Sequence, residues 1–271
     1  MSSTAHRSEV RRLVRLLAKG TPTAHGAIPW ASPVMMFGRL ETSRVATLGL
    51  NPSNLEFEAT GGIPLNEPFN RFETLNSLRL PDWSYAGRAE IERIWSACEF
   101  YFTRRPYDGW FRPLDKIVGG LGVSYYDAWS TACHLDLVPF ATGQKWSSLK
   151  SENREALVAL GAPTLVATLA ASDVRVLVLN GASVIRAFER LLDSPLTVTE
   201  MSAWSLRRGS APSVRGFAHS GKVSSIAGMD LGRELLVLGY NHNIQSSFGV
   251  TTTVIAEIRK WIARRARGAL A

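Results

Sequence analysis

Val174-Arg175-Val176-Leu177-Val178-Leu179, followed by Asn180-Gly181-Ala182-Ser183, is the stretch that decides the fold. A short apolar run bounded by polar and glycine residues is the pattern of a strand buried on both faces. The Asn-Gly turn leads into helical spacing over about 184–192. A buried strand feeding a helix is the repeating unit of a parallel sheet, because parallel neighbours need a crossover connection. Outward from there, 44–50 (RVATLGL) repeats the pattern and ends in Asn51-Pro52. Residues 235–239 repeat it again and end in Asn241-His242-Asn243. The segment 125–140 alternates loosely and ends near Pro139, while 196–199 and 214–219 read as weaker strands. The expectation is an α/β chain, a three-layer α/β/α arrangement with a central, mainly parallel sheet of about four strands.

The helices follow from apolar spacing. Val10, Leu13, Leu16 and Leu17 recur among Arg11, Arg12, Arg15 and Lys19, and Gly20 stops the run, which predicts an N-terminal helix with a basic outer face. Further helices are expected over about 88–102 and 113–118, and two short ones over 153–160 and 164–171, split by Gly161 and Pro163. A last helix, about 252–267, ends in a cluster of Arg259, Lys260, Arg264, Arg265 and Arg267. Cations there suit a helix C-terminus and suit DNA equally. The 271 residues read as one domain, with a core over about 44–250 and a basic helix at each end.

The charge balance is +8, carried by 25 Arg against 6 Lys. Arginine forks onto phosphate, so the excess suits a polyanion, although a GC-rich genome would give the same bias. Two cysteines, Cys98 and Cys133, and five scattered histidines exclude a zinc knuckle or a four-cysteine cluster within the chain, so no metal or other cofactor is expected. No apolar signal core and no long apolar run appear, which predicts a cytoplasmic protein that does not enter membranes.

In open α/β sheets ligands bind at the carboxyl ends of the strands. Three polar loops follow such ends. The first is Gly49-Leu50-Asn51-Pro52-Ser53, continuing to Pro68-Phe69-Asn70-Arg71-Phe72. The second is 133–140 (CHLDLVPF). The third is 237–246 (VLGYNHNIQS). Together they resemble the uracil-DNA glycosylase superfamily, most closely its mismatch-specific uracil and thymine branch, with its G-[IM]-N-P-G loop, a following N-R-F, and a late loop written NPSGLS or HPSPLS. The resemblance spans roughly 45–250 and implies a monofunctional glycosylase that flips a pyrimidine out of DNA and hydrolyses its N-glycosidic bond; a monomer is the simpler expectation for an enzyme that must wrap around DNA.

What it implies residue by residue begins with Asn51, a neutral amide that orients the attacking water. Leu50 and Pro52 line the base pocket and Ser53 faces a phosphate. Leu65 falls where related enzymes stack an aromatic on the base, with Phe69 or Phe57 as substitutes. Arg71 meets a phosphate or pairs with Glu67 or Glu73. Asp136 falls where the family reads the base with Asn. An ionised carboxylate only accepts hydrogen bonds, which suits the exocyclic amine of cytosine and disfavours uracil's O4. A buried, protonated one donates to N3. Both states point to a cytosine-derived base. Asn241 stands at the late loop's base-contacting place, with His242 as the alternative one residue on. Asn243 and Ser246 face DNA, and Gln245 is the wedge that fills the emptied stack.

The favoured substrate is therefore a modified, hydroxymethyl- or glucosyl-type cytosine. An anti-phage role follows only by analogy with base-excising defence enzymes. Uracil or mismatched thymine in repair is the alternative, and a non-catalytic DNA-binding module of the same fold is a second class. Trp30, Trp110, Trp129 and Trp146 read as core or rim residues. Residues 119–122 (GGLG) precede a strand and lack the context of a dinucleotide loop. No Lys falls in the three loops, which disfavours a lyase.

Overall fold

The computed structural model describes residues 2–59, 61–208, 211–245 and 249–270. Its principal helices are α1 (Ser2–Ala18), α2 (Arg88–Glu99), α3 (Asp108–Val118), α4 (Ser151–Ala170), α5 (Ala182–Glu189) and α6 (Thr252–Leu270). The central strands are β1 (Val45–Gly49), β2 (Ala132–Asp136), β3 (Val176–Asn180), β4 (Thr197–Glu200), β5 (Phe217–Ile226) and β6 (Met229–Tyr240). The chain is α/β, with a mostly parallel six-stranded sheet in the order β2-β1-β3-β6-β5-β4, flanked by helices. β3 pairs in parallel with β1 (Val45 opposite Val176) and with β6 (Leu236 opposite Val176). Every residue of β1, β2 and β3 is buried, as the mainly apolar runs of β1 and β3 imply, and β2 buries His134 and Asp136 among its apolar residues.

The sheet has six strands among the described residues rather than about four. The difference lies in the long ribbon of β5 and β6, which pair antiparallel, with β4 antiparallel on β5. Sequence reading finds only the apolar ends of this ribbon. Its far half alternates exposed and covered residues and contains a register break between Asp230 and Leu235, so no continuous hydrophobic signal survives. The ribbon turns through Ala227-Gly228, both left-handed, as a two-residue hairpin needs.

The chain divides into two compact units. The first comprises 1–40, 50–106 and 135–172, and the second 41–49, 107–134 and 173–271. In the second, α5 and α6 each pack on β3 and β6. In the first, α1 packs on α2 and α4, burying Val10, Leu13, Val14 and Leu17, while Leu16 is only half-buried.

α4 corrects the expectation of two short helices over 153–160 and 164–171: it runs through Gly161 and Pro163 unbroken. Gly161 is there for approach rather than for a break. A Cβ at that position would stand 2.2 Å from the Leu137 carbonyl oxygen and 3.0 Å from the Val138 Cα. The bare helix surface thus lets the chain just after β2 lie directly on α4. Pro163 removes one helix hydrogen bond, and the buried face of Leu157, Leu165, Val166 and Leu169 offsets that loss.

Candidate functional site

The chain passes into the first unit at Leu50 and at Leu135, just after β1 and near the end of β2. There the two segments run side by side, and the Val138 amide donates to the Leu50 carbonyl at 2.9 Å. Asn51 follows. Its Nδ2 donates to the Pro52 carbonyl at 3.0 Å and to Thr142 Oγ1 at 3.1 Å, with the Phe140 carbonyl at 3.4 Å. Thr142 is buried and spends its own proton on the Gln144 carbonyl at 2.7 Å, so its lone pairs face Asn51. Carbonyl oxygens only accept, which fixes the amide's orientation. The half-buried side chain is therefore anchored by its nitrogen. Among the described residues nothing donates to its Oδ1.

Asp136 is buried at the end of β2. Near it is a second carboxyl group that sequence reading passed over, Glu56, at the end of a short turn (Asn54–Glu56) capped by Ser53 Oγ. Glu56 is buried, accepts from the Tyr101 hydroxyl at 2.9 and 2.8 Å on its two oxygens, and lies 3.9 Å from Arg71. Burial pushes its carboxyl up to about 7. The Tyr101 hydrogen bond and Arg71 oppose that rise, and the charge of Asp136 adds to it. The signal that could have found Glu56 is weak: an acid inside an apolar pair, Leu55 and Phe57, in the same loop as Asn51.

Glu73 pairs with Arg93 at 3.0 Å, and Arg71 lies 3.9 Å from Glu56. Its guanidinium donates to the Leu55 carbonyl at 2.6 Å and the Arg105 carbonyl at 2.8 Å, which ties the turn bearing Glu56 to the strand-free segment beyond α2. Phe72 of the N-R-F and Phe57 are core residues, in an aromatic cluster with Phe37 and Tyr101; Phe72 stacks on Tyr101 at 5.1 Å. Phe57 is thus committed to packing. Phe69 is exposed, with the Arg105 guanidinium over its face at 4.8 Å. Leu65 is half-buried and its amide donates to the Phe57 carbonyl at 2.7 Å. It lines a separate polar cavity of about 540 Å³ with Thr74, Arg79 and Arg93. Pro52 is buried and Leu50 half-buried. The first unit therefore brings Asn51, Asp136, Glu56 and Arg71 to one neighbourhood. Leu65 and Phe69 lie farther along the loop.

The late loop belongs to the second unit and is closed upon itself. The Asn241 side chain accepts from the Phe217 amide at 2.8 Å and donates to the Arg215 carbonyl at 2.9 Å, bracing the start of β5. His242 is buried, donates from Nε2 to the Trp204 carbonyl at 2.6 Å, and is held below its ordinary pKa by burial. Gln245 accepts from Asn180 at 3.2 Å and reaches the Trp110 carbonyl at 3.4 Å. Asn243 is exposed and caps the Gln245 amide. Ser246 lies outside the described residues. A further histidine, His134, is a satisfied core residue, bonded to Thr47 at 2.7 Å and edged by Trp110.

Among the described residues no cluster of metal-ligating side chains occurs, and no helix is long and apolar enough to cross a membrane. Comparison with known proteins finds no family model that matches the chain and no curated relative.

Proposed function

We propose that the chain is a monofunctional DNA glycosylase that hydrolyses the N-glycosidic bond of a flipped-out pyrimidine. The observation that carries this reading is Asn51: an amide pinned through its nitrogen, whose acceptor oxygen meets no donor among the described residues, in the loop after the first strand. An acceptor held in place without charge aligns a water by taking one of its O–H bonds, which leaves a water lone pair free to attack. In the reaction the bond from C1′ to the base nitrogen breaks through an oxocarbenium-like sugar. The water's hydroxyl becomes the new C1′ substituent and its remaining proton ends on the departed base.

Asp136 supports a cytosine-type substrate, because a buried carboxylate accepts from an exocyclic amine and repels a carbonyl oxygen. A hydroxymethyl- or glucosyl-modified cytosine is the preferred form on the sequence resemblance alone, in which Leu65 stands where relatives carry an aromatic; Leu65 itself lines the separate cavity farther along the loop, so it does not add to that preference. Defence against modified phage DNA is the role this substrate suggests.

The test is a cleavage assay on matched oligonucleotides that carry uracil, thymine opposite guanine, 5-hydroxymethylcytosine or its glucosylated form, with alkali to reveal lost bases. Alkali-labile sites at modified cytosine, absent with Asn51→Ala, are the expected result. Cleavage at uracil or mismatched thymine would transfer the enzyme to repair. Duplex binding with no abasic sites on any strand would overturn the catalytic reading.

A further inference from the structure

The basic cluster at the end of α6 lines a groove in the second unit. Two adjoining clefts of about 720 and 430 Å³ share Lys222, Leu236 and Arg265. Arg175 and Arg233 complete the cationic lining of one and Arg264 that of the other. Arg175 immediately precedes β3, its carbonyl accepts from the Leu236 amide at 3.0 Å, and Leu236 sits opposite Lys222 across the ribbon. The groove therefore lies at the end of β3 opposite Asn180.

Two carboxylates also line it, and they do not neutralise it. Glu234 pairs with Lys222 at 2.9 Å and Asp173 acts on Arg233. Arg265 donates to Ser220 at 3.2 Å, a neutral partner. Arg175 and Arg264 are exposed, and among the described residues neither side chain has an ion-pair or hydrogen-bond partner. The helix terminus does not account for the cluster either. A C-terminal dipole amounts to about half a charge, which one arginine already balances, whereas α6 ends with Arg264, Arg265 and Arg267.

The lining also indicates what fits. The clefts are concave and carry cations along their length, and no exposed large apolar side chain lines them to enter a lipid layer. Arginine forks match phosphate oxygens in pairs. We propose that these clefts, in the second unit, form a groove that holds the phosphodiester backbone of a nucleic acid. The groove stands whether or not the Asn51 loop cleaves DNA.

The experiment uses the full chain and labelled DNA and RNA duplexes of arbitrary sequence, with affinity followed by anisotropy against salt. Arg175→Gln combined with Arg264→Gln removes two unpartnered surface cations, so the log–log salt slope is expected to shrink by about 1.8, at about 0.9 for each phosphate no longer neutralised. Arg11→Gln combined with Arg15→Gln removes the same charge from α1 and is expected to leave the slope unchanged. The tighter of the two duplexes identifies the backbone recognised. An unchanged slope in the groove variant, an equal fall in both variants, or loss of binding to phosphatidylserine vesicles without loss on duplexes would overturn the proposal. A chain that cleaves no substrate yet shows the groove-specific change would lose the glycosylase reading and keep this one.

Discussion

The loops that follow β1 and β6 both begin at the carboxyl end of a strand that pairs in parallel with β3, and both carry an asparagine within two residues of that end. Their chemistry is opposite. After β6, Asn241 uses both ends of its amide on the backbone of β5 and its approach, His242 is buried against a carbonyl, and Gln245 is tethered at oxygen and nitrogen. After β1, Asn51 is tethered, among the described residues, at nitrogen alone, and Glu56 and Asp136 bring two buried carboxyl groups close together. A loop whose polar groups are satisfied stabilises the fold. A loop with an idle acceptor and a penalised carboxylate costs stability, which is the usual mark of a site kept for function.

Four substitutions probe this contrast, ranked here by the size of the stability change. Gly161→Ala sets a methyl group against the Leu137 carbonyl and is expected to destabilise by about 3 kcal/mol in denaturant titration, displacing the segment that holds Thr142 against Asn51. Glu56→Gln should act in the opposite direction. Below the ordinary carboxyl value of 4.5 both folded and unfolded chains hold the Glu56 proton and the variant gains nothing. As pH rises toward about 7 the unfolded chain ionises first, and the native protein bears a growing penalty. The variant should therefore be more stable by roughly 3 kcal/mol at pH 8 and equal to the wild type at pH 4, which melting at the two pH values checks. Asn241→Ala strands the Phe217 amide and should lower stability by about 2 kcal/mol at either pH. Asn243→Ala touches only an exposed cap and should stay within about 0.5 kcal/mol. If Glu56→Gln destabilised at pH 8 and Asn241→Ala did not, the two loops would have exchanged roles.

Sequence reading reached the strands that are buried on both faces, because β1 and β3 are continuous apolar runs and Asn51 follows the first of them directly. It failed where tertiary packing overrode local signals. Gly161 and Pro163 read as a break, yet the approach of the 137–139 segment turns that glycine into a requirement of one long helix. The β5–β6 ribbon was half hidden because its outer half carries alternating polar residues. Glu56 escaped because its one sequence signal, an acid between Leu55 and Phe57, is too weak to separate a surface acid in a loop from one enclosed by Tyr101 and Arg71. His242 and Asn241 were legible as polar residues at a strand end, but their backbone partners, at Trp204, Arg215 and Phe217, are distant in sequence.

If Asn51 Oδ1 aligns the attacking water, its removal must slow the chemical step and little else. The decisive measurement is single-turnover base release by Asn51→Ala on the substrate identified from the oligonucleotide panel, with duplex affinity and melting measured on the same preparation. The expected result is a loss of about 10³-fold in the rate of release, with affinity and melting held near the wild type. Release at close to the wild-type rate from a variant that folds and binds normally would remove Asn51 from the chemistry.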